Sequence, residues 1–209
     1  MSEEGKNEEV INIMLLGNNT VGKTCFILRY ADNIFNDVYL ATGGIDFKVK
    51  YITLKEQQYK LIIYDTTGEE KYRSIALNVI KTAQGIILMY DITNKESFDS
   101  IPDWIRSIKE AKGDNFPMIL CGNKVDNIDK RQISEKEGGE LADKYKIKFF
   151  ETSNKKGINI DEAVLSIVNK ILIEREKDNS DLGLESNKKS NKLGKNASSV
   201  KKDNSKGCC

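Results

Sequence analysis

The chain has 209 residues, enough for one well-packed domain and an appendage, and it carries 33 basic and 32 acidic residues. Because this balance creates no global field, no nucleic-acid partner is predicted. The sequence contains no histidine, so any catalysis must use carboxylates, lysine, a bound Mg²⁺ or backbone dipoles.

Strand and helix signals alternate along the chain. Predicted strands are 10–16, 47–54, 59–64, 85–90, 118–121 and 148–152, with a turn at 55–58. Predicted helices are 24–30, 97–112, 134–144 (opened by a capping box at Ser134 and Glu137) and 160–176. This alternation predicts an α/β fold, a doubly wound, mostly parallel six-stranded sheet with helices on both faces.

Targeting and cysteine patterns indicate a reducing compartment, most simply the cytosol. Residues 1–10 are acidic and lack the apolar core of a signal peptide, and no apolar run reaches the ~20 residues that span a bilayer. Cys25 and Cys121 are isolated, so they are interpreted as small packed residues rather than as metal ligands.

The stretch 17–24, GNNTVGKT, follows the first predicted strand and has the pattern of a phosphate-binding loop. Its glycines leave room for several backbone N–H groups to point at one anion. Lys23 supplies a positive charge for the terminal phosphates, and the Thr24 hydroxyl can ligate Mg²⁺. Because this loop serves many nucleotide enzymes, it does not by itself distinguish GTP from ATP.

A second string, NKVD at 123–126, identifies the base. The Asp126 carboxylate can accept hydrogen bonds from both the N1–H and the exocyclic amine of guanine. Adenine has an acceptor at N1 and no amine at C2, so the same carboxylate would repel it. The two strings, with DTTG at 65–68 between them, predict a guanine nucleotide and disfavour a P-loop kinase or ATPase.

With these motifs, the chain resembles the Ras-like small GTPases, and among them the Rab family, over about residues 9–176 and the last two cysteines. Rab-like character lies in GGIDFK (43–48), KLIIYD (60–65), EEKYRS (69–74) and YDIT (90–93). The resemblance implies a P-loop GTPase fold and a Mg²⁺-dependent GDP/GTP switch that hydrolyses GTP and regulates vesicle traffic.

The resemblance also implies a role for each matching position. The implied nucleotide-binding residues are Gly17, Asn19, Thr20, Val21, Gly22, Lys23, Thr24, Cys25, Phe35, Tyr39, Thr42, Gly68, Asn123, Lys124, Asp126, Ser153, Asn154 and Lys155. The implied Mg²⁺ ligands are Thr24, Thr42 and Asp65, and the implied catalytic residues are Lys23, Thr42, Gly68 and Glu69. Phe35 is expected to pack edge-on against the guanine, with a core phenylalanine as the alternative.

Thr42 and Gly68 are expected to tether two switch loops to the γ-phosphate, and these loops relax when it leaves. The ordered surface around Phe47, Tyr64 and Val79 would then recruit effectors; Val79 stands where the family has an aromatic residue, which predicts a changed effector footprint. An exchange factor, a GTPase-activating protein, a prenylation escort and a GDI-type protein are the other implied partners.

Glu69 is the largest departure from the family pattern, since it stands where a glutamine orients the attacking water. An ionised carboxylate only accepts hydrogen bonds, and it adds negative charge beside the γ-phosphate. Thr67, Asn19 and Thr20 alter the same surroundings. We expect intact nucleotide binding with altered hydrolysis; the alternatives are neutral variation and a GTP-bound scaffold without efficient turnover.

The apolar periodicity stops at 177, which predicts a flexible N-terminus at 1–8, a GTPase domain at 9–176 and a disordered tail at 177–209. Eight lysines against four acidic residues give the tail a net charge of +4. Cys208 and Cys209 match the terminal pair that Rab proteins carry for geranylgeranylation, and two lipids suit stable anchoring. The resemblance thus implies a cytoplasmic protein that cycles to the cytosolic face of an intracellular membrane.

Overall fold

The computed structural model describes residues 8–35, 45–66 and 80–193, with the side chains in those ranges except at 45 and 178–193. The chain divides after Ile171 into two units, Met1–Ile171 and Leu172–Cys209. The first unit contains the sheet.

The predicted six-stranded, mostly parallel sheet is confirmed. Its strands are β1 (Glu9–Leu16), β2 (Ile45–Leu54), β3 (Gln57–Thr66), β4 (Gly85–Asp91), β5 (Met118–Asn123) and β6 (Lys148–Thr152). They lie in the order β2-β3-β1-β4-β5-β6, and β2–β3 is the one antiparallel pair among them. The β2–β3 turn is shorter than predicted, because Lys55 and Glu56 both take the left-handed backbone that suits a two-residue hairpin.

Helices connect the strands. They are α1 (Lys23–Asp32), α2 (Lys95–Asp99), α3 (Ile101–Lys112), α4 (Glu135–Tyr145) and α5 (Ile160–Leu193), with a 3₁₀ turn at Ile128–Lys130. The predicted capping box of α4 is confirmed, since the Ser134 hydroxyl accepts from the Glu137 N–H and the Glu137 carboxylate accepts from the Ser134 N–H.

The core forms around the central strands. Every residue of β4 and β5 is buried, as their continuous apolar sequences predict for strands covered on both faces. Apolar residues of α3 and of the first turns of α5 are also buried. Fully burying an aliphatic side chain contributes about 1.5–3 kcal/mol, so this layer supplies much of the folding free energy.

The single helix predicted at 97–112 is wrong, because the chain forms two helices that meet at Ser100. Ser100 ends α2 and begins α3, and its hydroxyl donates to the Glu96 carbonyl at 2.8 Å. Pro102 follows in the first turn of α3. Since proline has no N–H, a continuous helix would lose a hydrogen bond there and would clash with the preceding turn.

The last helix does not end at 176, as the apolar pattern predicts, but continues to Leu193. Residues 174–177 (Glu-Arg-Glu-Lys) are good helix formers, and Lys177 Nζ lies 2.8 Å from Glu174 Oε1 one turn away. These residues favour continuation of α5 past the point where the apolar pattern stops, so the predicted helix end at 176 is wrong.

The carboxyl ends of the parallel strands meet at one edge of the sheet. In the strand register, Asn123 of β5 lies between Asp91 of β4 and Thr152 of β6. The chain segments that follow β1, β4, β5 and β6 therefore begin close together, which is where open α/β sheets bind ligands.

Candidate functional site

The loop between β1 and α1 has an unusual backbone. Gly17, Thr20 and Gly22 have φ values of 140°, 61° and 101°. A Cβ atom on Gly17 would come within 2.1 Å of the Met89 carbonyl oxygen, so only glycine fits there. Changes of backbone handedness along a short loop make concave nests of N–H groups that bind anions, which agrees with the predicted phosphate loop.

Lys23 begins α1 and is buried, at 5% exposure. Its ammonium donates hydrogen bonds to the carbonyl oxygens of Gly17 and Asn18, both at 2.9 Å. Burial lowers the pKa of Lys23 to about 8, and the negative charge of Asp65 partly opposes that shift. The loop thus surrounds a desolvated cation that an anionic ligand would stabilise.

Thr24 and Asp65 form an oxygen-rich pair beside this loop. The Thr24 hydroxyl donates to Asp65 Oδ2 at 2.6 Å, and Asp65 is 4% exposed near the end of β3. A hydroxyl and a carboxylate are the hard oxygen donors that Mg²⁺ prefers, and Mg²⁺ is often held by one or two protein groups together with phosphates. The donor set therefore fits Mg²⁺.

Asn18 connects the phosphate loop to the helices after β4. Its Oδ1 accepts from Trp104 Nε1 at 2.9 Å, and its Nδ2 donates to the Ser100 hydroxyl at 3.0 Å. The break between α2 and α3 places Ser100 at this contact, so the local helix geometry supports the loop.

Asn123 joins three segments through one buried side chain. Its Nδ2 donates to the Val21 carbonyl of the phosphate loop at 2.9 Å. Its Oδ1 accepts from the Thr152 hydroxyl at 3.3 Å and from the Asn154 N–H at 3.4 Å. The predicted base motif, which is the guanine-recognition string NKVD at 123–126, is therefore in contact with both the phosphate loop and the loop after β6.

Two further pairs fix the base motif. Lys124 Nζ lies 2.6 Å from Asp91 Oδ2, while Asp91 Oδ1 accepts from the N–H and hydroxyl of Thr93. The Ser153 hydroxyl donates to Asp126 Oδ1 at 2.5 Å and accepts from the Lys156 N–H at 3.0 Å. Ser153 thus orients the carboxylate predicted to recognise guanine.

Arg29 of α1 is a site residue that the sequence did not reveal. Its Nε donates to the Asn154 carbonyl at 2.7 Å, and its Nη2 donates to the Lys155 carbonyl at 2.9 Å. Its guanidinium also lies 5.8 Å from the centre of the Phe35 ring, a cation–π contact. Phe35 therefore lies beside the loop after β6, as an aromatic residue next to the base would.

The remaining predicted residues of the phosphate loop and α1 differ in how far they are buried. Val21 is buried and Cys25 half-buried, whereas Asn19 and Thr20 are exposed on the phosphate loop. The Asn19 Oδ1 accepts from the Thr20 N–H at 2.9 Å. The predicted residues outside the described ranges are Tyr39, Thr42, Thr67, Gly68, Glu69, Val79, Cys208 and Cys209.

Comparison with known proteins agrees with this geometry. The sequence profile of the Ras family matches residues 12–173. The chain belongs to the Ras family. It is 42% identical over 163 residues to Ras-related protein Rab-8B of Homo sapiens, which covers 78% of this chain and 79% of the relative.

Two other relatives also belong to Rab groups. Ras-related protein Rab-13 of Rattus norvegicus is 40% identical over 166 residues, covering 79% of this chain and 82% of the relative. Ras-related protein Rab-8A of the same organism is 42% identical over 168 residues, covering 80% and 81%. The chain is thus a Rab-like small GTPase that binds guanine nucleotide, hydrolyses GTP and acts in membrane trafficking, and the scaffold alternative is not favoured.

Proposed function

We propose that the loops at the carboxyl edge bind GDP and GTP, with Asp126 reading the base and Lys23 neutralising the phosphates. The observation that carries this proposal is the side chain of Asn123, which joins the base motif to the phosphate loop. The two halves of the site are built as one unit, so a ligand with both a guanine and phosphates fits it.

Base recognition follows from the Asp126 carboxylate. The Ser153 hydroxyl donates to one carboxylate oxygen and so fixes the orientation of the group. A carboxylate accepts hydrogen bonds and does not donate them, so it suits the two adjacent donors of guanine. Lys124, Asn154 and Lys155 frame the base, and Phe35 packs against its edge.

The phosphates bind to the loop at 17–24 and the start of α1. Residues 19–25 surround them, and Lys23 provides the positive charge. Thr24, Thr42 and Asp65 would hold Mg²⁺, which when bound would supply positive charge to the phosphate oxygens. Lys23 contributes the same stabilisation from its buried position, where an electrostatic interaction is stronger than in water.

Hydrolysis depends on residues 42, 68 and 69. We propose that Thr42 and the Gly68 N–H bind the γ-phosphate and that Glu69 takes the role of the residue that orients the attacking water; all three lie outside the described residues. Because Glu69 accepts without donating and is negatively charged, it stabilises the transition state less than a glutamine would. The enzyme therefore binds GTP with full affinity and hydrolyses it slowly.

The GTP-bound form presents a surface to effectors. Phe47 is 56% exposed and its ring centre lies 6.1 Å from that of the half-buried Tyr64, so β2 and β3 present an aromatic contact at the surface. We propose that Val79, which lies outside the described residues, also takes part in effector binding. The other proposed partners are an exchange factor, a GTPase-activating protein, a prenylation escort and a GDI-type protein.

Membrane attachment depends on the C-terminal segment. Among the described residues, no helix is long and apolar enough to cross a bilayer. We propose a GTPase domain at 9–176 that follows a flexible segment at 1–8, and lipidation of Cys208 and Cys209, so that the protein cycles between the cytoplasm and an intracellular membrane.

Replacing Asp126 with asparagine tests base recognition. The substitution removes two hydrogen bonds to a charged group, so we expect GDP affinity to fall about 100-fold or more. Xanthine carries a carbonyl at C2, to which the new amide can donate, so affinity for XDP should rise. Equilibrium titration with both nucleotides measures the change. Asp129→Asn, an exposed control with the same charge change, should leave both affinities alone; equal GDP binding by the two variants contradicts the assignment.

Replacing Glu69 with glutamine tests the hydrolysis proposal. The amide can donate one hydrogen bond in the transition state, worth about 1.4 kcal/mol, so the rate should rise about ten-fold. Single-turnover hydrolysis of bound GTP measures this, with and without a matching GTPase-activating protein. Glu70→Gln carries the same charge change one position away and should behave as wild type. Identical rates for wild type and Glu69→Gln under both conditions would sink the proposal.

Replacing Cys208 and Cys209 together with serine tests the anchor. Without thiols to carry two lipids, the variant should leave the membrane fraction of fractionated cells. Ser198→Ala combined with Ser199→Ala changes the same tail and keeps the cysteines, so it should fractionate as wild type. An unchanged membrane fraction for the cysteine variant refutes lipid anchoring.

A further inference from the structure

The side chain of Asn154 connects the loop after β6 directly to the phosphate loop. Its Nδ2 donates to the Gly22 carbonyl oxygen at 2.9 Å, and the residue is 4% exposed. The same carbonyl accepts from the Phe26 N–H at 2.9 Å in the first turn of α1. The Gly22 carbonyl thus accepts hydrogen bonds both from α1 and from a residue 132 positions later in the chain.

Further hydrogen bonds join the same two segments, and in some of them the donor lies on the phosphate-loop side. Arg29, on the helix that begins next to Gly22, donates to the Asn154 and Lys155 carbonyls. The Asn123 side-chain amide donates a similar hydrogen bond to the Val21 carbonyl. The end of the phosphate loop cannot move away from the loop after β6, here called the base-side loop, unless these hydrogen bonds break.

The Asn154 amide is not explained by stability alone. Its Oδ1 is buried and has no hydrogen-bond partner among the described residues. An unpaired buried acceptor destabilises a folded protein, and such exceptions are uncommon in native structures. A small apolar side chain at this position would remove that cost, together with the bond to Gly22.

We propose that Asn154 is a positioning residue that holds the base-side loop and the phosphate loop together and so slows the release of bound guanine nucleotide. The inference rests on the proposed function, in which one loop holds the base and the other holds the phosphates. The nucleotide leaves only when both loops release it, and the Asn154 bond couples their opening.

The test compares the dissociation of fluorescently labelled GDP from full-length wild type and variants, in Mg²⁺ with excess unlabelled GDP. Asn154→Ala should release GDP about five-fold faster, the loss expected for one neutral hydrogen bond. Its association rate and its thermal midpoint should stay near those of wild type, because the unpaired acceptor disappears with the bond. Asn154→Asp keeps the shape but points a carboxylate at the Gly22 carbonyl, so it should release GDP faster still.

Asn94→Ala is the matched control, since it removes an amide hydrogen bond at the start of α2 that touches neither loop. Its GDP dissociation should equal that of wild type. If wild type retains GDP and Asn154→Ala releases it at the wild-type rate, the inference is wrong while the proposed function stands. If Asn154→Ala fails to fold, the side chain serves folding and the inference is likewise wrong. If wild type binds no guanine nucleotide, the proposed function itself fails.

Discussion

Asn123 ends β5 between Asp91 of β4 and Thr152 of β6, and its amide reaches across to the Val21 carbonyl of the phosphate loop. The parallel register places these side chains, because three neighbouring strands end at the same level. A shift of one residue in β5 would turn Asn123 to the other face of the sheet. Both halves of the site therefore depend on how the sheet is paired.

Electrostatics at this edge follow from burial. Lys23, Asp65 and Asp91 are each at most 5% exposed, and each lies close to a carbonyl, a hydroxyl or an opposite charge. Charges interact more strongly in such a site than in water, and an unpaired one would be costly. Polar groups held in fixed positions stabilise developing charge in phosphoryl-transfer sites without reorganisation.

Much of the fold could be predicted from the sequence. Continuous apolar stretches marked β4 and β5 as buried strands, and the Ser134–Glu137 pair marked the start of α4. Apolar spacing alone missed the break at Ser100, since a helical spacing of apolar residues can continue from one helix into the next. The same signal placed the end of α5 too early, because good helix formers at 174–177 continue the helix where the apolar periodicity has stopped.

The site could be predicted only as far as its motifs extend. Lys23 and Asp126 belong to short strings whose chemistry is local, whereas Arg29 and the side-chain bond of Asn154 depend on partners 125 and 132 positions away. No pattern within a window of sequence contains that information. Register, which brings Asn123 beside Thr152, is likewise a property of the folded sheet.

The most direct test of this account is the identity and amount of nucleotide that copurifies with the full-length protein. Denaturing the protein and separating the released nucleotides by chromatography gives both values. The account predicts guanine nucleotide, as GDP or GTP, approaching one molecule per chain. Adenine nucleotide in its place, or a protein that stays folded with no nucleotide and takes up no added GDP, would contradict it.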